Sequence, residues 1–123
     1  MEDEAGIAVI DLDDFKLHND TYGHSAGDAA LITTANIIKK YIRKTDILIR
    51  YGGDEFLLLF PKLSEKNMLE KNKKIKKAVE NIVFTEYPDL HVTVSIGGVC
   101  GVHPIMEAIH QADKLMYENK RML

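Results

Sequence analysis

The sequence predicts an α+β domain of the ferredoxin-like type: an antiparallel sheet with helices packed on one face, in the order β-α-β-β-α-β-α. Three observations carry that expectation. Ile7-Ala8-Val9-Ile10-Asp11-Leu12-Asp13 is an almost wholly apolar run ending in acids, as a buried central strand should be. Two further apolar runs, Ile47-Leu48-Ile49 and Phe56-Leu57-Leu58-Leu59-Phe60, flank a tight Gly52-Gly53-Asp54-Glu55 and read as a β-hairpin. Between and after these runs, apolar residues recur at helical spacing.

The elements follow in order. From Ala26 to Ile42, Leu31, Ala35, Ile38 and Ile42 form one face of an amphipathic helix. The stretch before it, Phe15 to His24, is polar, rich in turn formers and read as a connection. After the hairpin, Pro61 closes the strand and Ser64 caps a Lys-rich helix with Met68, Ile75, Val79 and Ile82 inward. Its lysines read as a solvated face. Phe84 to Leu90 is a loop. His91 to Gly98 alternates as a strand does, with Gly97 and Gly98 ending it. Pro104 opens a last helix carrying Ile105, Ile109, Ala112 and Met116 at helical spacing.

Composition sets the bounds. The chain has 123 residues, of which 46% are hydrophobic and 28% charged, which fits one domain with its own core. A net charge of −3 gives no basic footprint for nucleic acid or for direct membrane contact. The single Cys100 excludes an internal disulfide and suits a reducing compartment. The start, Met-Glu-Asp-Glu-Ala, is acidic rather than signal-like, and no run is long enough to span a bilayer. A cytoplasmic domain is therefore expected, whose parent protein can itself be membrane-anchored.

Chemistry concentrates at the hairpin. Taken alone, Gly-Gly-Asp-Glu reads as a solvated acidic turn. The predicted sheet, however, brings the end of the first strand beside the hairpin tip, and there Asp11 joins Asp54 and Glu55. Asp11 and Asp13, two residues apart, share one face. Gly52 and Gly53 permit positive φ and carry no Cβ, so a ligand can approach their backbone. Carboxylates gathered beside such glycines suit Mg²⁺ with a nucleoside triphosphate.

The chain resembles the GGDEF family of diguanylate cyclases in five segments that occur in the family's order. These are Ile10 to Asp20, Gly23 to Asp28, Arg50 to Phe56, Thr93 to Gly97, and Ala112 to Tyr117 followed by Lys120. The resemblance implies a nucleotide-cyclase, polymerase-palm type of fold and the condensation of two GTP into cyclic di-GMP and pyrophosphate in bacterial signalling. By position, Asp11, Asp54 and the Leu12 carbonyl hold Mg²⁺, one or two ions per site, with Mn²⁺ as an alternative. Glu55 lies by the ribose 3′-hydroxyl and helps to activate it. Asn19 and Asp28 read the guanine edge, Lys16 and Lys120 hold phosphates, and Gly52 and Gly53 pass close to the triphosphate. Arg43 and Asp46, with five residues between Asp46 and Gly52, match the family's inhibitory site for cyclic di-GMP.

Each domain supplies half of an active site, so a homodimer of facing domains is implied, with a sensory or dimerising domain in the parent protein. The family's segment before the first strand and an arginine beyond residue 123 fall outside this sequence. A single GGDEF domain over residues 1–123, N-terminally truncated and short of its last residues, is expected, weak or inactive by itself. The alternative is an inactive GGDEF domain that serves as a GTP- or cyclic di-GMP-binding module.

Overall fold

A computed structural model of the chain describes residues 5–122; the acidic start at residues 1–4, and Leu123, lie outside the described residues. Eight elements follow one another: β1 (Gly6–Leu12), α1 (Phe15–Tyr22), α2 (His24–Lys40), β2 (Ile47–Arg50), β3 (Glu55–Phe60), α3 (Glu65–Glu80), β4 (Val94–Cys100) and α4 (Ile105–Arg121). The sheet order is β2-β3-β1-β4, every neighbouring pair antiparallel. This is the ferredoxin-like arrangement expected, with β1 in the middle and fully buried.

Helices cover both faces of the sheet, where one face was expected. Ala8, Ile10 and Leu12 of β1 join Ile38 of α2 and Met68, Ile75 and Val79 of α3 in the larger core. The alternate residues Ile7 and Val9 pack with Leu57 under Ala108, Ala112 and Met116 of α4. An uninterrupted apolar run such as residues 7–10 needs cover on both sides, because successive side chains point to opposite faces. No helix among the described residues is long and apolar enough to cross a membrane.

Three local readings need correction. The polar stretch after β1 is a helix, α1, not a connection; it contains no buried residue, so no apolar stripe betrays it. Asp14 opens it in the left-handed region at φ 56°. Strand β4 begins at Val94 rather than His91, and it runs through Gly97 and Gly98 to Cys100 instead of stopping there. A Cβ at Gly97 would lie 2.2 Å from the Ala112 carbonyl oxygen and from the Met116 amide nitrogen. That glycine lets α4 lie directly on the strand. The third concerns α4, whose Ile105 is 52% exposed and lies off the buried face. The Ser64 cap holds, its hydroxyl accepting from the Asn67 amide at 3.2 Å.

Candidate functional site

The pairing of β1 with β3 builds the site. Asp11 stands opposite Glu55 in that register, and opposed residues share a face of the sheet. The Leu12 amide donates to the Asp54 carbonyl at 3.1 Å, fastening the end of β1 to the hairpin tip. Asp11, Asp54 and Glu55 consequently each offer a carboxylate oxygen within 4.8 Å of the others. The convergence inferred from topology is present.

The turn is braced from within. Arg50 donates through Nη2 to the Gly53 carbonyl at 2.7 Å and through Nε to the Gly52 carbonyl at 3.3 Å. Neither Gly52 nor Gly53 uses the positive φ open to a glycine, so the turn itself does not demand glycine. A Cβ on Gly53 would meet nothing within 4 Å, and one on Gly52 would make only ordinary contact with Glu55. The backbone there lies open to an approaching group.

Like charges at this spacing disturb one another. Burial, reinforced by Asp54, pushes the Asp11 carboxyl up to about 7 against the opposing pull of Lys120. Burial also raises Glu55, helped by Asp113 and Asp54. Asp113 lies with Glu55, Tyr51 and His110 along a cavity of about 370 Å³ beside the turn. Asp11 Oδ1 is buried and has no hydrogen-bond partner among the described residues. Three hard oxygen donors, one of them unpartnered, fit a divalent cation.

Lys120 enters the cluster from α4. Its ammonium donates to Asp11 Oδ2 at 2.5 Å and to the Leu12 carbonyl at 3.4 Å. The residue expected to hold phosphate thus contacts the two main-strand groups expected to hold metal. Burial would lower this ammonium, but the hydrogen bond and charge of Asp11, then Asp13 and Asp54, raise it. Asp13, which received no role from the sequence, is 3% exposed and accepts from Thr93 Oγ1 at 2.7 Å and Ser95 Oγ at 2.6 Å. It lies 3.9 Å from Lys120. The Thr-x-Ser spacing in a strand was the available signal for it, since alternate residues share a face.

Asn19 and Asp28, the pair expected to read the guanine edge, sit on α1 and α2. Asn19 Oδ1 is buried without a partner among the described residues and would lie 1.7 Å from a Cβ at Gly27, so only glycine leaves it room. Asp28 is exposed on α2, and Lys16 is exposed on α1.

Arg43 and Asp46 lie elsewhere and grip each other. Arg43 donates from Nη2 at 2.7 Å, Nε at 3.0 Å and its backbone amide at 2.7 Å to the Asp46 carboxylate. Nη2 also reaches the Pro61 carbonyl at 2.6 Å, and Lys71 lies 3.4 Å from Asp46. Burial would raise Asp46, yet the hydrogen bonds from Arg43 and the charges of Lys71 and Arg43 bring it below its ordinary value.

Comparison with known proteins agrees with this geometry. Residues 2–122 match the family described as Diguanylate cyclase, GGDEF domain. Diguanylate cyclase A of Treponema denticola is 38% identical over 120 residues, which cover 94% of this chain and 32% of that protein. The chain therefore spans about a third of that relative's length. Among solved structures, diguanylate cyclase SiaD of Pseudomonas aeruginosa, in complex with its activator SiaC, superposes with a TM-score of 0.90 at 29% identity. That match covers 97% of this chain and 47% of SiaD. The GGDEF domain of DgcB from Caulobacter crescentus, in complex with c-di-GMP, gives 0.88 at 28% identity over 95% of this chain and 72% of that one. A family match that takes in nearly every residue leaves one assignment: the chain belongs to the GGDEF domain family of diguanylate cyclases.

Proposed function

We propose that this chain is the cyclase domain of a larger signalling protein and that it joins two GTP molecules into cyclic di-GMP with release of pyrophosphate. The observation that carries this reading is the convergence of Asp11, Asp54 and Glu55 within 4.8 Å at the open Gly52-Gly53 turn. The names of the relatives and the c-di-GMP held by the DgcB domain support it.

Asp11 and Asp54, with the Leu12 carbonyl, would hold Mg²⁺ or Mn²⁺. The ion would supply charge stabilisation at the triphosphate. Asn19 Oδ1 accepts from the N–H groups of the guanine edge, and Asp28 completes the base contact. The exposed backbone at Gly52 and Gly53 lets the triphosphate lie against the turn, with Lys16 and Lys120 as cationic partners. Lys120 exchanges its bond to Asp11 for phosphate when the nucleotide binds.

Glu55 faces the 3′-hydroxyl. A carboxyl raised above its ordinary value is a better proton acceptor at neutral pH than an ordinary one. As the 3′-oxygen forms its bond to the α-phosphorus of the second GTP, the hydroxyl proton passes to Glu55 and the bond to the pyrophosphate oxygen breaks. Each domain presents one GTP, so the nucleophile and the phosphorus come from two facing copies. Positioning supplies much of the acceleration. Arg43 and Asp46 would receive the product and slow the enzyme.

Two copies of the chain held in proximity by a fused coiled-coil dimer, incubated with GTP and Mg²⁺, test the proposal. Cyclic di-GMP and pyrophosphate are the expected products. GTP that binds and returns unchanged would establish instead the reading as a nucleotide-binding module.

A further inference from the structure

Asp13 is a buried acid to which the proposed function gives no task. It is 3% exposed and stands apart from the three carboxylates that converge among the described residues. The register of β1 with β4 sets Asp11 opposite Ser95 and Leu12 opposite Val94. One step further on, the Asp13 amide donates to the Thr93 carbonyl at 2.9 Å. Its side chain falls on the face of the sheet that carries Asp11, because alternate residues of a strand share a face.

The two carboxylate oxygens are held separately. Thr93 Oγ1 donates to Oδ2 at 2.7 Å and Ser95 Oγ donates to Oδ1 at 2.6 Å. A hydroxyl gives one proton and no charge, and each carboxylate oxygen keeps room for a further donor. The Lys120 ammonium lies 3.9 Å from Oδ1. At present that ammonium donates to Asp11 Oδ2 at 2.5 Å and to the Leu12 carbonyl at 3.4 Å. On the proposed function, on which this inference rests, both of those acceptors serve a divalent cation. Lys120 then has to release them, since two positive charges on the same oxygens repel. Its side chain is 27% exposed, so a solvated rotamer is open to it. Among the described residues, the other acid within 4.0 Å of the ammonium is Asp13. The backbone beneath is tied as well: Asn119, next to Lys120, donates through Nδ2 to the Ile96 carbonyl of β4 at 2.7 Å.

We propose that Asp13 is the positioning residue for Lys120. Its carboxylate, fixed by Thr93 and Ser95, retains the ammonium beside the site once Asp11 and the Leu12 carbonyl are taken. The ammonium protons that Asp13 does not occupy are left to the phosphates of the nucleotide. Thr93 and Ser95 act only by holding the carboxylate still.

Calorimetry with the non-hydrolysable analogue guanosine 5′-[α,β-methylene]triphosphate and Mg²⁺ tests this in a double-mutant cycle of Asp13→Asn and Lys120→Met. Lys120→Met should weaken binding at least about tenfold, as the loss of a charge-assisted contact does. Asp13→Asn should weaken it about three- to tenfold while Lys120 is present, and not at all in the Lys120→Met background. An Asp13 that served only the fold would lower affinity equally in both backgrounds. Ser95→Ala keeps the charge and removes one hydroxyl bond. If Asp13→Asn fails to fold, the smaller loss in Ser95→Ala, confined to chains with Lys120, carries the test. Equal losses in both backgrounds, or an Asp13→Asn affinity that matches the unaltered chain, would overturn the proposal. An unaltered chain that does not bind the analogue would refute the nucleotide reading itself, and the proposal with it.

Discussion

Two carboxylate sites in this chain have opposite electrostatics. At the hairpin tip, Asp11 is buried beside Asp54 and Glu55, and its carboxyl is driven up to about 7. In the connection from α2 to β2, Asp46 is equally enclosed, with no side-chain exposure, yet lies below its ordinary value. The difference is in the partners. Asp46 receives three hydrogen bonds from Arg43 and the charge of Lys71, which itself rests 5.9 Å from the Phe60 ring centre. Asp11 receives one ammonium and faces two acids. Burial is common to both, so burial does not mark function here. What sets the proposed site apart is a buried charge left short of partners, the kind of position that a cation and a nucleotide would complete.

The comparison breaks most visibly at Asp54. Asp54→Ala should lower cyclic di-GMP formation by the dimerised chain by at least about a hundredfold, since charge stabilisation at the reacting phosphate is commonly worth that much. It should not destabilise the fold, because the Asp54 charge raises both Asp11 and Glu55. Product chromatography and a urea titration on the same preparation check both halves. Full turnover at saturating Mg²⁺ would remove Asp54 from the assigned role.

Asp46 should behave in the reverse manner. Asp46→Ala removes the acceptor of three hydrogen bonds from Arg43, and stability should fall by about 1.5–3 kcal/mol, the range for hydrogen bonds to charged groups. The urea midpoint measures this. The same contrast appears against pH. Asp46, held below 3.8, contributes stability that is present above that value and lost as pH falls through its folded value. Asp11 has the opposite sign: its folded value lies above the unfolded one, so its ionised form opposes folding. Its share of stability should rise as pH is lowered from about 7 toward 3.8. Melting curves of Asp11→Asn between pH 7 and 3.8, and of Asp46→Asn below pH 3.8, should each lack the corresponding slope.

Much of this was legible in the residues, and the exceptions have physical reasons. The hairpin, the Ser64 cap and the convergence of Asp11 with Asp54 and Glu55 follow from local patterns plus one topological step. Helix α1 was not legible because it buries nothing, and helical periodicity is a record of burial. The run of β4 through Gly97 was hidden because glycine ends strands by default, and only the backbone of α4 above it explains its presence. The contact of Lys120 with Asp11 spans 109 positions, and that of Asp13 with Ser95 spans 82. No window of sequence displays such pairs. The unpartnered Oδ1 of Asn19 likewise depends on how tightly α1 lies against Gly27.

The smallest expected effect is at Arg43, where one side chain has two roles to separate. Its guanidinium braces the fold by joining Asp46 to the Pro61 carbonyl, and it is also the proposed donor to cyclic di-GMP. Alanine would remove both roles at once. Arg43→Lys keeps the charge that Asp46 needs but loses the planar fork that matches phosphate or the guanine edge. One charge-assisted hydrogen bond lost from the ligand corresponds to about 1.5–3 kcal/mol, so affinity for cyclic di-GMP should fall at least about tenfold. Part of the brace survives in the lysine, and the urea midpoint should move less than in Asp46→Ala. Calorimetry with cyclic di-GMP on both proteins decides the matter. Equal affinity would make Arg43 a structural clamp alone, and the contrast between a nucleotide-seeking cluster and a self-satisfied one would then be complete.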